Sequence, residues 1–398
     1  MGLFIMNSKQ RIAAAMNHQT PDRIPVMCQL ALGHYFLNCS EKPSEIWFDG
    51  ETFAKVLVER QQEYGFDGIL VNLPGRPLEW TTDLNSREQT DDLEHLHWKS
   101  GLETIFVTDD NPQTYKPGKK PLARADYTSV DISNPATYRI PGYVWNTWHV
   151  PELWGIHPQA DLSDPAVYPA WFTKTLSTVQ QLAPEVSIHV EIFSPFTHLM
   201  ELFGYEQALL ALLDVPKKCH ELLEVMTKNV LAQVKLYAGC LPDAILVSSA
   251  FAGAGFISRS MYEEFVIPYE DLVFQVIHWY GLKSYVHTCG AIGDRLDLMA
   301  KTVVDGIDTL DPPPLGTVDL EEAKSKYGQR FFFKGNLDAV NEMLNADDKT
   351  FESAVKERIR TGKPGSGYIL SSACSVAPHV NPRRLKRLSE LAIRFGKY

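Results

Sequence analysis

Cysteine is scarce in this chain, six residues in 398. That excludes a disulfide-stapled secreted scaffold, and in a reducing compartment each thiol is a packing residue, a metal ligand or a reactive group. Long apolar runs are missing as well: no stretch of 18 or more apolar residues is present to span a bilayer. The start of the chain, residues 1–6 followed by Asn7, Ser8 and Lys9, lacks the basic region and small-residue cleavage site of a signal peptide. A cytoplasmic location without a membrane partner is the expectation. Positive charge is in deficit, with 38 Lys and Arg against 49 Asp and Glu for a net charge of −11. Nucleic-acid binding depends on clustered cations. The one dense basic run, Arg383, Arg384, Lys386 and Arg387, reads as the solvated face of a terminal helix, so no nucleic-acid partner is expected.

What is present is a repeating pattern. Short apolar, β-branched runs bounded by turn signals occur at 24–29, 68–72, 187–193, 244–248, 283–287, 307–310, 331–335 and 368–371. Helical stretches at 206–238, 261–280, 294–304, 320–326 and 351–360 separate most of the later ones. Alternating β and α units with parallel strands predict an α/β fold, a (β/α)8 TIM barrel formed as one domain over 1–398. Between the second and third strands the chain makes a long excursion, 74–184, which holds Trp80, Trp98, Trp145, Trp148 and Trp154. It is expected to form short strands and loops over the barrel mouth, with a helix near 165–182.

The fifth predicted strand ends in Tyr285-Val286-His287-Thr288-Cys289-Gly290. Residues i and i+2 of an extended segment point the same way, so the His287 imidazole and the Cys289 thiol can share one volume. Such an N/S pair suits Zn2+, although a histidine and a cysteine packed in a core give the same spacing. Cys374 follows the eighth predicted strand, 85 residues beyond Cys289, and a barrel brings all strand ends to one rim. Three N/S ligands with an open fourth position describe a catalytic zinc site. Of Glu191 and His189, near the end of the third strand, one is expected to face the barrel interior as an ionisable group with a partner or a task. Cys219 and Cys240 read as packing residues, and the helical stripe Phe265, Leu272, Val276, Trp279 reads as core. Gly253-x-Gly255 lacks the rest of a dinucleotide fingerprint and reads as a βα loop.

His287-x-Cys289, Gly335-Asn336-Leu337-Asp338, Tyr262-x-x-Phe265-x-x-Pro268-Tyr269 and Tyr368-Ile369-Leu370 leading to Cys374 together resemble the uroporphyrinogen decarboxylase superfamily. The resemblance is to its zinc-dependent, corrinoid-linked methyltransferase branch, which includes methoxyarene O-demethylases and methylcobamide:coenzyme M methyltransferases. It implies a zinc cofactor, a small-molecule methyl donor and a corrinoid (cobalamin) carried by a partner protein. By likeness to the related cobalamin-independent methionine synthases, Asp311, 22 residues after Cys289, is a candidate fourth ligand; Glu191 is its rival. The alternative for Asp311, which precedes three prolines, is a turn.

Decarboxylation of a highly carboxylated tetrapyrrole is disfavoured, because no Lys or Arg occurs between Arg23 and Lys42 to pair its carboxylates. Asp67 is expected to be a structural residue or one that supports a reacting group from behind. O-demethylation of a methoxylated aromatic is the favoured activity, with Tyr143, Trp145, Trp148, Phe193 and Phe196 as candidate ring contacts. The alternatives are a methylcorrinoid:thiol or tetrahydrofolate methyltransferase and, from another class, a metal-free subunit that binds a corrinoid protein. The direction of transfer turns on whether Arg76 and Lys334 converge beside the metal. A homodimer is compatible with the sequence.

Overall fold

The computed structural model describes residues 5–90, 93–138, 156–157 and 159–398. Strand β1 (Gly68–Val71) is followed by five strands in the excursion: β2 (Leu84–Gln89), β3 (Leu93–Trp98), β4 (Glu103–Val107), β5 (Gln113–Lys116) and β6 (Lys120–Pro121). Six more come after it: β7 (Ser187–Phe193), β8 (Ala244–Ser248), β9 (Lys283–His287), β10 (Gly306–Thr309), β11 (Phe332–Leu337) and β12 (Tyr368–Ser372). The parallel sheet runs β1-β7-β8-β9-β10-β11-β12 and curls into a TIM-type barrel. The helices between its strands supply the outer layer.

The first predicted strand does not form as a regular one. Segment 24–30 makes isolated parallel bridges, Val26 with Leu370 and Leu30 with Val376. Proline has no N–H for a ladder, and Pro25 contributes only its carbonyl, which accepts from Leu370 N at 2.9 Å. On the other side Val26 O accepts from Asp67 N at 2.7 Å, so the segment joins β12 to the start of β1. Helix Ser8–Met16, absent from the sequence-based pattern, places Ile12, Ala15 and Met16 in one buried cluster with Leu70, Leu246, Tyr285, Phe332 and Ile369. Those strand residues come from β1, β8, β9, β11 and β12, so the helix fills the interior of the sheet from its own end.

Several helices break where proline resets them. The predicted 206–238 helix is two, Tyr205–Asp214 and Pro216–Ala238. The 261–280 helix divides into Arg259–Phe265 and Ile267–Trp279, with Pro268 in the new first turn. The break shifts the helical phase, which corrects the expected core stripe: Phe265 is buried, but Leu272 and Trp279 are exposed. The basic run does lie on a terminal helix, Pro382–Phe395. There Arg384 pairs with Asp348 and Arg387 with Glu352.

In the excursion, β2 to β6 form an antiparallel meander. Burial alternates along β3 and β4, and the inward residues Trp98 and Phe106 pack on Phe48 with ring centroids 5.4 and 5.9 Å away. The sheet therefore shares the main hydrophobic core. The helix expected at 165–182 covers only Lys174–Leu182, preceded by two short 3-10 turns, Pro165–Val167 and Ala170–Thr173. All six cysteines are free, and no helix among the described residues is long and apolar enough to cross a membrane.

Asp67 is fully buried at the start of β1. It accepts from Arg11 Nη1 (2.6 Å), Arg23 Nη1 (2.8 Å), Ser8 Oγ (3.0 Å) and Val26 N (2.9 Å). One carboxylate thus fastens the first helix and the closing segment to β1. Removing one partner of a buried ion pair costs about 3–5 kcal/mol, because the other charge is left uncompensated. Asp67→Ala should lower stability by about that amount in a denaturant titration; an unchanged midpoint would show that Arg11 and Arg23 re-pair without it.

Candidate metal centre

His287 closes β9, Cys289 lies two residues on, and Cys374 follows β12 by two residues. The ligand atoms form a triangle: Cys289 Sγ to His287 Nε2 is 3.4 Å, Cys289 Sγ to Cys374 Sγ 3.8 Å, and Cys374 Sγ to His287 Nε2 4.0 Å. A tetrahedral zinc, with bonds of about 2.3 Å to sulfur and 2.0–2.1 Å to nitrogen, spaces its ligands about 3.5–3.8 Å apart. The donor set and its spacing are thus compatible with zinc. Among the described residues, these three form the group of His, Cys and carboxylate side chains close enough to hold an ion together.

The surrounding backbone is held on several sides. Thr288 lies between His287 and Cys289, just past the end of β9; its N–H donates to Thr309 Oγ1 (3.2 Å), and its carbonyl accepts from the same hydroxyl (3.0 Å). Thr309 and Leu310 have φ of 79° and 57°, a region that non-glycine residues, β-branched ones above all, seldom occupy. Gly290 N donates to Asp311 Oδ2 at 2.6 Å. Ala373, beside Cys374, donates its N–H to Leu337 O at 2.6 Å. Leu337 belongs to the Gly335-Asn336-Leu337-Asp338 segment, where Asn336 Nδ2 reaches Leu310 O at 2.8 Å and Asp338 caps the turn at Val340 and Asn341.

Electrostatics follow from burial. The Cys374 thiol is held well below its ordinary range by hydrogen bonds from Cys289 and His287, against the opposing effect of burial, while Cys289 is pushed up by sharing its proton with Cys374. For His287, burial lowers the imidazole, but the hydrogen bond to Asp308 and the contact with Cys374 outweigh it and raise it to about 10. Burial raises Asp311 to about 6 and Glu191 to about 7.

The remaining candidates are distributed as follows. Asp311 sits beside the triangle, bonded to the backbone after Cys289, and is outside the three-ligand group. Glu191 is buried, with Gln29 Nε2 3.4 Å away. His189 points the same way along β7, bonded to Tyr285 OH at 2.9 Å, so both members of that pair are interior. Phe193 ends β7, partly exposed, whereas Phe196 is fully buried in the core. Tyr143, Trp145 and Trp148 lie outside the described residues. Of the two cations, Lys334 Nζ pairs with Asp308 Oδ1 at 3.0 Å, and Arg76 packs over the Trp47 ring at 5.8 Å. Asp308, which accepts from His287 Nδ1 at 3.1 Å, brackets the sixth strand end with Asp311 in the sequence, where Asp311 alone was the expected ligand.

Residues 156–395 match the family model of uroporphyrinogen decarboxylase (URO-D), and the chain belongs to that family. The uroporphyrinogen decarboxylase of Tolumonas auensis is 26% identical over 187 residues, 46% of this chain and 49% of that protein. That of Nocardia farcinica is 30% identical over 183 residues, 44% and 48%. The chain thus spans about half the length of these curated relatives. In fold it is similar to a methyltransferase from Methanosarcina mazei, with a TM-score of 0.67 over 98% of this chain and 99% of the other, at 13% identity.

The loop after β8 backs the centre. A Cβ built on Gly253 would stand 2.4 Å from the Cys289 carbonyl oxygen, whereas one on Gly255 meets nothing within 4 Å. Gly253→Ala should therefore displace the Cys289 backbone and weaken metal retention several-fold, with Gly255→Ala as the neutral control. Metal per chain after dialysis against a chelator is the measurement; equal retention in both variants would contradict the close-packing account.

Proposed function

We propose that this chain is a zinc-dependent methyltransferase that moves the methyl group of a methoxylated aromatic compound to the Co(I) corrinoid of a partner protein. The observation that carries the reading is the triangle of His287 Nε2, Cys289 Sγ and Cys374 Sγ at and just past the ends of β9 and β12, in a chain of the URO-D family. Three such ligands leave a fourth position for substrate. When bound, zinc acts as a Lewis acid on the ether oxygen and stabilises its departure as a phenolate.

The chain's own residues then divide the work. His287, Cys289 and Cys374 would hold the ion, while Asp311 keeps the Cys289 turn in place through Gly290. Glu191, buried on the interior face of β7, is assigned the proton that the departing oxygen takes up. The C–O bond breaks, its electron pair stays on oxygen, and the methyl carbon bonds to the nucleophilic cobalt. Phe193, with Tyr143, Trp145 and Trp148 of the 74–184 excursion, is proposed to contact the ring, and the excursion to form one wall of the mouth. Phe196 is assigned to packing instead.

A thiol or folate acceptor needs a cation for its sulfonate or carboxylate. Lys334 is paired with Asp308 and Arg76 packs on Trp47, which favours the ether. Uroporphyrinogen decarboxylation is disfavoured by the absence of Lys and Arg from 24–41.

The test is a spectroscopic screen of the enzyme with Co(I) corrinoid protein against methoxyarenes, methylamines, methanol and methyl thiols. Methylated cobalt and free phenol from a methoxyarene are expected, with Cys374→Ala losing most of both while remaining folded. No phenol, together with a methyl thioether formed when methyl corrinoid protein is incubated with a thiol, would reverse the direction.

A further inference from the structure

Across β9, β10 and β11 the parallel ladders put His287 opposite Asp308 and Asp308 opposite Lys334. Partners in register point to the same face of a sheet, and all three side chains are buried, at 5%, 1% and 1% exposure. The two carboxylate oxygens have different tasks. Oδ1 accepts from Lys334 Nζ at 3.0 Å and from Thr309 N at 2.8 Å, while Oδ2 faces His287 Nδ1 at 3.1 Å. With Nδ1 engaged in this way, Nε2 is the ring nitrogen left toward Cys289 and Cys374.

We propose that Asp308 and Lys334 are positioning residues for the metal: Lys334 turns the Asp308 carboxylate so that it takes the Nδ1–H of His287 and leaves the Nε2 lone pair for the ion. The inference rests on the zinc reading above. Its physical basis is that a buried ion pair contributes little net stability, since well-packed apolar residues of similar volume serve as well or better. A carboxylate behind a ligating imidazole, by contrast, fixes the tautomer and the ring angle and raises the basicity of the donor nitrogen. Register makes the arrangement rigid, because rotating the ring means breaking a contact that three adjacent strands hold in line. The same end of β10 also clamps the ligand backbone through Thr309 and Thr288, so side chain and main chain are fixed from one element.

The test compares wild type with Asp308→Asn, Lys334→Met and the double variant. Three quantities are read: thermal stability, zinc affinity by competition with a chromophoric chelator, and the absorption bands of the Co(II)-substituted protein. Asp308→Asn should weaken zinc binding by about 10–100-fold and shift the Co(II) bands. Lys334→Met should do the same to a smaller extent. The double variant leaves no unpaired charge and should regain stability that the single variants lose, without regaining affinity or the wild-type spectrum. Wild-type affinity and spectrum in folded Asp308→Asn, or affinity that returns with stability in the double variant, would make the pair purely structural and overturn the inference while leaving the zinc reading intact. A wild-type protein that binds no zinc would remove both.

Discussion

Parallel pairing of β9, β10, β11 and β12 sets the distances at the ligand triangle. His287 closes β9 and Cys374 follows β12, strands three positions apart in the sheet, and neither has a sequence neighbour that could bring the other near. What brings them together is the ladder, which fixes His287 against Asp308, Asp308 against Lys334, and Leu337 against Ser372. The curl of the sheet then turns those strand ends toward a common volume. A slip of one residue in any of these ladders would send the inward set outward, and the centre would be lost together with its support.

Closure of the barrel guards that register. The irregular segment 24–30 is held by single bridges and by Asp67, not by a full ladder. At its interior end, helix Ser8–Met16 fills the space with apolar side chains. The two ends of the barrel therefore differ in chemistry. One is sealed by Ile12, Ala15, Met16 and the Arg11–Asp67–Arg23 cluster; the other carries buried ionisable groups and thiols. The five-stranded sheet joins this second region through the helix that follows segment 24–30, where Phe106 packs on Phe36, and through the loop after β12, where Asp109 accepts from His379 at 2.9 Å. The family match begins after this sheet, at residue 156, so the sheet lies outside the matched stretch.

The sequence made the barrel strands readable because buried parallel strands are continuous apolar runs, and seven of the eight runs form as strands. The eighth, 24–29, has the right apolar content, but Pro25, which has no N–H to donate, leaves it with isolated bridges and no full ladder between β12 and β1, which composition alone does not reveal. Helix ends were less legible where Pro216 and Pro268 restart the winding, and the exposed Trp279 is the visible consequence. The triangle was legible because His287, Cys289 and Cys374 all fall just at or after strand ends. Asp308 and Lys334 were not legible as partners of the histidine, since each looks like an ordinary charged residue until register aligns them. Asp67 had two readings in the sequence, a structural residue or a support for the site, and its partners Arg11, Arg23, Ser8 and Val26 favour the first.

The central claim is a zinc ion held by one imidazole and two thiolates. X-ray absorption at the zinc edge of the purified protein tests it most directly, because it counts sulfur and nitrogen neighbours without any assumption about substrate. The account predicts about one zinc per chain, with two sulfurs at about 2.3 Å and one imidazole nitrogen at about 2.0–2.1 Å, plus one light exchangeable neighbour. Zinc surrounded only by oxygen and nitrogen, or a spectrum with two sulfurs that persists unchanged in Cys374→Ala, would contradict it.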